Sequence, residues 1–307
     1  MIGDSSLLSH AFSNLLRCLR RQKGAVPNFP LIPGQMGNRN AVRGAANRPR
    51  LFGSDVNSEQ EAQYQHAAGI IRKGRRITAF TGAGISMESG IPPFRGPDGL
   101  WSRLDSQVLD IGFFHEHPRQ SWAAIKEIFY DSFIAAKPNA AHLALAAMEN
   151  DGLLHCVITQ NVDNLHHKAG NRVIWEFHGN SRVLICLGCT MSYSAAELDY
   201  LELPPTCRQC GGVLKPNFVF FGEPIPEPAA TKSMLEARMS DVFLLIGTSG
   251  EVMPACLIPW SAKENGASII EINTGKSLYT NQITDVFLQD NATVAMTQLL
   301  AALQENR

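Results

Sequence analysis

Nowhere in the 307-residue chain is there a run long and apolar enough to span a membrane, and neither sign of charge prevails. Lys and Arg number 27 against 28 Asp and Glu, a net charge of −1. That balance argues against a nucleic-acid binder whose affinity comes from neutralising phosphates, so no direct nucleic-acid contact is expected. Internal repeats and long low-complexity segments are also missing. Of seven cysteines, Cys18, Cys156 and Cys256 are scattered, as in a reducing interior and unlike a secreted disulfide framework. With 45% apolar residues the chain can bury a full core, and it reads as one large domain with a small insert.

The other four cysteines are grouped. Cys186-Leu187-Gly188-Cys189 is followed by seventeen residues and then by Cys207-Arg208-Gln209-Cys210. Two C-x-x-C hooks at this separation supply four thiolates for a tetrahedral zinc ion. All positions are then filled by protein, so the expected zinc is structural and the catalyst must lie elsewhere. A disulfide pair and a nucleic-acid-binding zinc ribbon are the competing readings.

The first fifty residues hide an asymmetry. Arg17, Arg20, Arg21, Lys23, Arg39, Arg43, Arg48 and Arg50 face a single acid, Asp4. Leu8, Phe12, Leu15, Leu16 and Leu19 fall on one helical face, with Arg17, Arg20 and Arg21 on the other. An Arg-rich, acid-poor amphipathic start resembles an organellar transit peptide, which makes the mitochondrial matrix the expected location and the cytoplasm the alternative. A disordered tail or a misassigned start are the plainer readings. Residues 1–55 are therefore set aside from the fold.

Beyond residue 57 the pattern is alternating α/β. Ser58–Lys73 reads as a helix, and Arg76–Phe80 as a strand ending at a Gly-rich turn. Leu154–Thr159, Val173–Phe177, Val242–Ile246 and Ser268–Ile272 read as further buried strands. Ala140–Glu149, Ala229–Arg238 and Thr293–Leu303 read as helices. Apolar strands separated by helices imply a Rossmann-like parallel sheet covered on both faces, built from 58–181 and 213–307 and interrupted by a small four-cysteine zinc module over 182–212.

The strand ending at Phe80 enters Thr81-Gly82-Ala83-Gly84-Ile85-Ser86. A strand, a Gly-x-Gly turn and a helix start can receive a pyrophosphate, since glycines permit close backbone approach and the helix N-terminus offers N–H donors. The third glycine of G-x-G-x-x-G is absent, Met87 standing in its place. Taken alone, an ordinary tight turn explains this segment as well.

The turn does not stand alone. It is followed by Ser89-Gly90-Ile91-Pro92, Phe94-Arg95-Gly96, Thr159-Gln160-Asn161-Val162-Asp163-Asn164-Leu165-His166, Glu176-Phe177-His178-Gly179, Phe221-Gly222-Glu223, Gly247-Thr248-Ser249 and Asn273-Thr274-Gly275. In this order, around a four-cysteine insert, they resemble the sirtuins, NAD-dependent protein lysine deacylases, over roughly residues 60–300. The resemblance implies that Gly82, Ala83, Gly84, Ser86, Phe94, Arg95 and Trp101 enclose the pyrophosphate and nicotinamide ribose of NAD. It implies that Gln160, Asn161 and Asp163 contact the nicotinamide half, Asn161 at the ribose and Asp163 at the amide. Gly247, Thr248, Ser249, Asn273, Thr274 and Gly275 would hold the adenosine half, with Ala292 closing over the adenine. His178 would be the general base, able to accept a proton at neutral pH. His142, His166 and His167 read as structural or surface groups.

By the same resemblance, nicotinamide leaves as the acyl oxygen of a modified lysine attacks the ribose. His178 deprotonates a ribose hydroxyl that attacks the resulting imidate, and water releases lysine and O-acyl-ADP-ribose. The acylated protein or peptide enters as an added strand between Phe221-Gly222-Glu223 and Gly250-Glu251-Val252. Sirtuins that remove acidic acyl groups carry a Tyr-x-x-Arg pair. Here Tyr130-Asp131-Ser132-Phe133 places Phe at the position of the Arg, which favours neutral acyl groups, acetyl or longer, because a buried carboxylate without a cation is costly. Gly250-Glu251 after Gly-Thr-Ser is shared with some acidic-acyl sirtuins and weighs the other way. Pro93, where Asp is usual, stiffens the cofactor loop. Mono-ADP-ribosyl transfer from the same pocket and a non-catalytic NAD-sensing zinc module are the alternatives in other classes. Oligomeric state is not legible.

Overall fold

The computed structural model describes residues 54–94, 99–131, 133, 135–198, 200 and 202–305. The expected extension up to residue 53, and Arg95, lie outside the described residues. No described helix is long and apolar enough to cross a membrane.

Among the described residues nine strands form two sheets: β1 Ile77–Thr81, β2 Leu154–Thr159, β3 Ile174–Glu176, β4 Gly179–Cys186, β5 Ser192–Ser194, β6 Leu214–Phe218, β7 Val242–Ile246, β8 Ser268–Asn273 and β9 Val286–Gln289. The first sheet runs β3-β2-β1-β7-β8-β9 with every pairing parallel. Its central strands β1 and β7 are buried along their whole length. That burial explains why they read as continuous apolar runs.

Alternation along the strands divides the core in two. Ile77 and Ala79, with Val242, Leu244 and Ile246, face the helices Ser54–Lys73, Ala140–Asn150 and Ala292–Gln304 through Tyr64, Ile71, Leu145, Met296 and Leu299. Phe80, Phe243, Leu245 and Ile269 face the opposite way, towards Ala229–Met239 and Leu257–Glu264 through Ala237, Ile258 and Ala262. Each expected strand and helix is present, with ends shifted by a few residues. The first helix begins at Ser54 instead of Ser58. β9 was not anticipated. It is a four-residue edge strand with an exposed end, too short for alternation to stand out.

The structure corrects three expectations. The segment after the Gly-x-Gly turn is a seven-residue 3-10 helix, Ala83–Ser89, closed by Gly90 in the left-handed region (φ +86°), and not the start of an α-helix. The zinc-bearing sheet, β5-β4-β6, is antiparallel and runs from Gly179 to Phe218, wider than 182–212. Its apolar face shares a core with the segment Leu100–Phe129, where Trp122 is fully buried and donates its Nε1–H to the Leu214 carbonyl at 2.7 Å. Residues 100–129 were expected with the large domain. The insert is too small to bury a core alone and recruits these aromatics instead.

Candidate active site

The order of the parallel sheet reverses direction at β1, so a crevice opens beyond the carboxyl ends of β1 and β7, where such sheets bind ligands. Four of the expected motifs leave the sheet there. Gly82–Gly84 follows β1, Gln160–Asp163 follows β2, Gly247–Ser249 follows β7, and Asn273 ends β8.

The turns after β1 and β7 touch backbone to backbone. Gly84 N–H donates to the Gly247 carbonyl at 2.9 Å, and Gly82 N–H to Ile246 at 3.0 Å. A Cβ on Gly84 would lie 2.6 Å from Gly247 Cα, and one on Gly247, at φ +63°, 2.4 Å from the Ile85 nitrogen. Glycine is therefore demanded first by this crossing of two loops. Thr248, also buried, ties three motifs together. Its hydroxyl accepts from Gln160 Nε2 at 3.0 Å, and its carbonyl accepts from Asn273 Nδ2 at 3.0 Å. Ser249, Thr274 and Gly275 stay exposed at the rim, whereas Ala292 is buried at the start of the last helix.

Ser86, Asn161 and Asp163 form a buried polar cluster. Ser86 donates to the Asp163 carboxylate at 2.7 Å and accepts from Asn161 Nδ2 at 3.2 Å, while Asp163 also accepts from the Leu165 N–H at 2.9 Å. Burial pushes the Asp163 carboxyl above its ordinary range, and the bonds from Leu165 and Ser86 pull the other way. Ala83 and these three side chains line a chamber together with the apolar Ile91, Phe94, Ile128, Phe129, Phe133 and Val162. Phe94 rests on Trp101 at 5.5 Å between ring centroids, and Trp101 on Phe221 at 6.5 Å.

His142 and His166 belong to this cluster, which sequence reasoning missed. Both are buried with rings 4.9 Å apart. His142 Nε2 lies 3.5 Å from Ser86 Oγ, and His166 Nε2 lies 2.9 Å from the Thr81 hydroxyl, which donates to Thr159 at 2.8 Å. His142 caps its helix with Asn139, a signal legible only as a helix start. His167 is exposed, 3.4 Å from Glu176.

His178 occupies the two-residue turn between β3 and β4, where the parallel sheet passes into the zinc-bearing one. Its Nδ1 is 3.0 Å from the Gln160 carbonyl. A carbonyl only accepts, so Nδ1 carries the proton and Nε2 keeps a free lone pair. Burial lowers the imidazole pKa, partly offset by that hydrogen bond, so the ring is neutral at pH 7.

Near it, Phe221 is exposed while its backbone is anchored: its N–H donates to Leu109 at 2.8 Å and its carbonyl accepts from Ile111 at 3.0 Å. Gly222 adopts φ +91°. The Glu223 side chain turns inward to Lys215 at 2.8 Å, and Val252 is half-buried.

The hooks converge. The sulfurs of Cys186, Cys189, Cys207 and Cys210 all lie within 4.8 Å of one another, with Cys186–Cys210 at 3.4 Å and Cys189–Cys207 at 3.6 Å. Tetrahedral zinc with 2.3 Å bonds needs sulfurs about 3.8 Å apart. Gly188 and Cys189 N–H groups point at Cys186 Sγ, and the Tyr193 hydroxyl lies 3.0 Å from Cys207 Sγ, the outer contacts that thiolate ligands need. The donor set fits one structural zinc ion.

The model of the Sir2 family matches residues 82–254. An NAD-dependent protein deacylase of Aeropyrum pernix is 44% identical over 242 residues, covering 77% of this chain and 96% of the relative. An NAD-dependent protein deacetylase of Pyrobaculum aerophilum is 40% identical over 244 residues, covering 79% and 95%. Among solved structures, a Sir2 homologue complexed with NAD superposes with a TM-score of 0.74 at 37% identity, covering 79% of this chain and 94% of that one. A Sir2 protein with a deacetylated peptide and 3'-O-acetyl ADP-ribose gives a TM-score of 0.74 at 31% identity, covering 77% and 97%. Fold, zinc cluster and crevice agree with these likenesses, and the chain belongs to the Sir2 family.

Proposed function

We propose that the protein is an NAD-dependent protein lysine deacylase that yields nicotinamide, O-acyl-ADP-ribose and free lysine. The observation that carries this reading is His178, neutral, with its proton held on Nδ1 by the carbonyl of Gln160, the residue that precedes Asn161 of the buried Ser86–Asn161–Asp163 cluster, so that Nε2 keeps its lone pair. NAD, as cosubstrate, supplies the electrophilic ribose and the nicotinamide leaving group. The chain's part is to cradle it. Gly82–Gly84 and Gly247–Thr248 form the close-packed floor, and Asn161 and Asp163 offer buried amide and carboxyl groups to the nicotinamide end. Trp101, packed against Phe94 and Phe221, stands beside this end. His178 Nε2 takes the ribose proton as general base. The acylated peptide lies as a strand beside Phe221–Glu223, opposite Gly250–Val252.

Packing supports a neutral acyl group. Tyr130 is engaged elsewhere: its hydroxyl donates to the Ser181 carbonyl at 3.1 Å, and its ring packs in a three-ring cluster with Trp122 at 5.9 Å and Tyr200 at 4.9 Å. Phe133 packs edge-on against Phe129 at 5.7 Å, and among the described residues the chamber wall carries no cation. A carboxylate there would be desolvated and unpaired.

Incubation with NAD and matched acetyl-, myristoyl- and succinyl-lysine peptides, beside His178→Ala, tests both points. Rapid NAD-dependent release of acetyl or myristoyl, lost in the variant, is expected. Preferred desuccinylation would sink the acyl argument, and label from NAD retained covalently on protein would favour ADP-ribosyl transfer. The Arg-rich, acid-poor first fifty residues support a matrix destination over a cytoplasmic one. A fluorescent reporter fused to residues 1–55 that stays out of mitochondria would refute it.

A further inference from the structure

Lys215 lies on β6 of the zinc-bearing sheet and is 7% exposed, an unusual place for an ammonium group. Its Nζ meets three acceptors of one turn: the Pro216 carbonyl at 3.0 Å, the Phe218 carbonyl at 2.8 Å and the Glu223 carboxylate at 2.8 Å. The Phe220 ring lies beneath it, 4.1 Å from Nζ to centroid. Glu223 Oε2 also accepts the Phe220 N–H at 2.8 Å, and Glu223 N–H returns to the Phe220 carbonyl at 3.0 Å. All three ammonium protons are therefore used, and the chain from 216 to 223 is wound around a single cation.

That turn touches both halves of the reaction site. On one side Val219 N–H donates to the carbonyl of His178 at 2.9 Å. On the other, Phe221 is clamped between Leu109 and Ile111, and Gly222 approaches Ile111 so closely that a Cβ would lie 3.1 Å from its Cγ2. An apolar side chain at position 215 would fill the space without desolvating two charges. A buried ion pair is a poor source of stability but a strong constraint on geometry.

We propose that Lys215 and Glu223 are a positioning pair that holds the turn Phe218–Glu223 in the conformation required to pair with the acyl-lysine peptide. The proposal rests on the deacylase reading and adds the element that presents the peptide's edge. The pair acts on substrate through the turn backbone and touches no reacting atom.

The full chain, loaded with zinc, tests it in four forms: Lys215→Met, Lys215→Arg, Glu223→Gln and the double variant Lys215→Met with Glu223→Gln. Dissociation constants and KM are measured for an acetyl-lysine peptide and for NAD, with zinc content and circular dichroism on each form. Lys215→Met and Glu223→Gln are expected to raise the peptide Kd about tenfold, or ~1.4 kcal/mol. NAD KM should move less than about twofold, which separates peptide positioning from general damage. Lys215→Arg, which keeps the charge and the donors, should restore most of the peptide affinity. The double variant should be no worse than either single one, since the two residues act as a unit.

Peptide affinity unchanged in zinc-replete variants would overturn the proposal. So would parallel loss of peptide and NAD parameters, or failure of every variant to retain zinc and fold, because each marks a purely structural pair. A wild-type protein that neither binds nor turns over the acetyl-lysine peptide would sink the deacylase reading and this proposal together. Failure of the proposal alone leaves the wild type active.

Discussion

At the scale of single residues, the site is organised by histidines that burial keeps neutral. His178 has its pKa lowered by burial, so the acid limb of kcat/KM should fall below the ordinary imidazole value of about 6.5. A pH profile of kcat/KM with an acid limb at or above that value would contradict the assignment. His142 is fully buried, and burial lowers its pKa from 6.5 to about 4. The folded protein thus resists protonation at His142 while the unfolded chain accepts it. The stability from this group is complete above pH 6.5 and is lost as pH falls towards 4, on the order of 3 kcal/mol. Melting temperatures from pH 7.5 to 4.5 should fall less steeply in His142→Gln than in the wild type, and identical slopes would remove His142 from the acid transition. Sequence showed that these histidines exist and that His178 sits in a recognisable motif. It could not show that His142 and His166 face Ser86 and Thr81, because those contacts join residues far apart in the chain.

At the scale of elements, the loops after β1 and β7 have to be considered as one structure. Their glycines are legible in sequence as turn formers, and the Gly-x-Gly motif suggested a phosphate-binding turn. The closest approaches are instead between the loops themselves, Gly84 onto Gly247. Gly247→Ala would hold a Cβ at φ +63° and press it against Ile85, with a backbone cost of about 1–3 kcal/mol before the clash is counted. Lower thermal stability and weaker NAD binding in the same titration are expected. An unperturbed variant would mean that the loops can separate freely. The 3-10 geometry of Ala83–Ser89 also accounts for the missing third glycine. Met87 is 46% exposed on this short helix, so no close helix–sheet contact demands glycine there.

On the scale of the whole molecule, two sheets meet at His178. β3 ends at Glu176 in the parallel sheet, β4 starts at Gly179 in the zinc-bearing one, and Gly179 pairs with Phe218 of β6. Structural zinc therefore supports the candidate base from a distance through the strands it ties together. Graded removal of zinc by a chelator, followed with a metallochromic dye, should lower deacylase activity in step with zinc released. Apo-protein that keeps full activity would show that the zinc-bearing sheet and the base are independent.

What the sequence determined by itself is everything set by local spacing and periodicity. The two hooks define a tetrahedral donor set, unbroken apolar runs define buried parallel strands, and ordered motifs define the family. These are properties of neighbours along the chain, where the backbone itself sets the geometry. Only the tertiary structure decided which motifs meet. It placed Leu100–Phe129 on the zinc-bearing sheet, closed Gly84 on Gly247, and set His142 against Ser86. Such contacts arise where separate segments cross and must satisfy each other's volume, charge and hydrogen bonds at once, a condition that no single stretch of sequence contains.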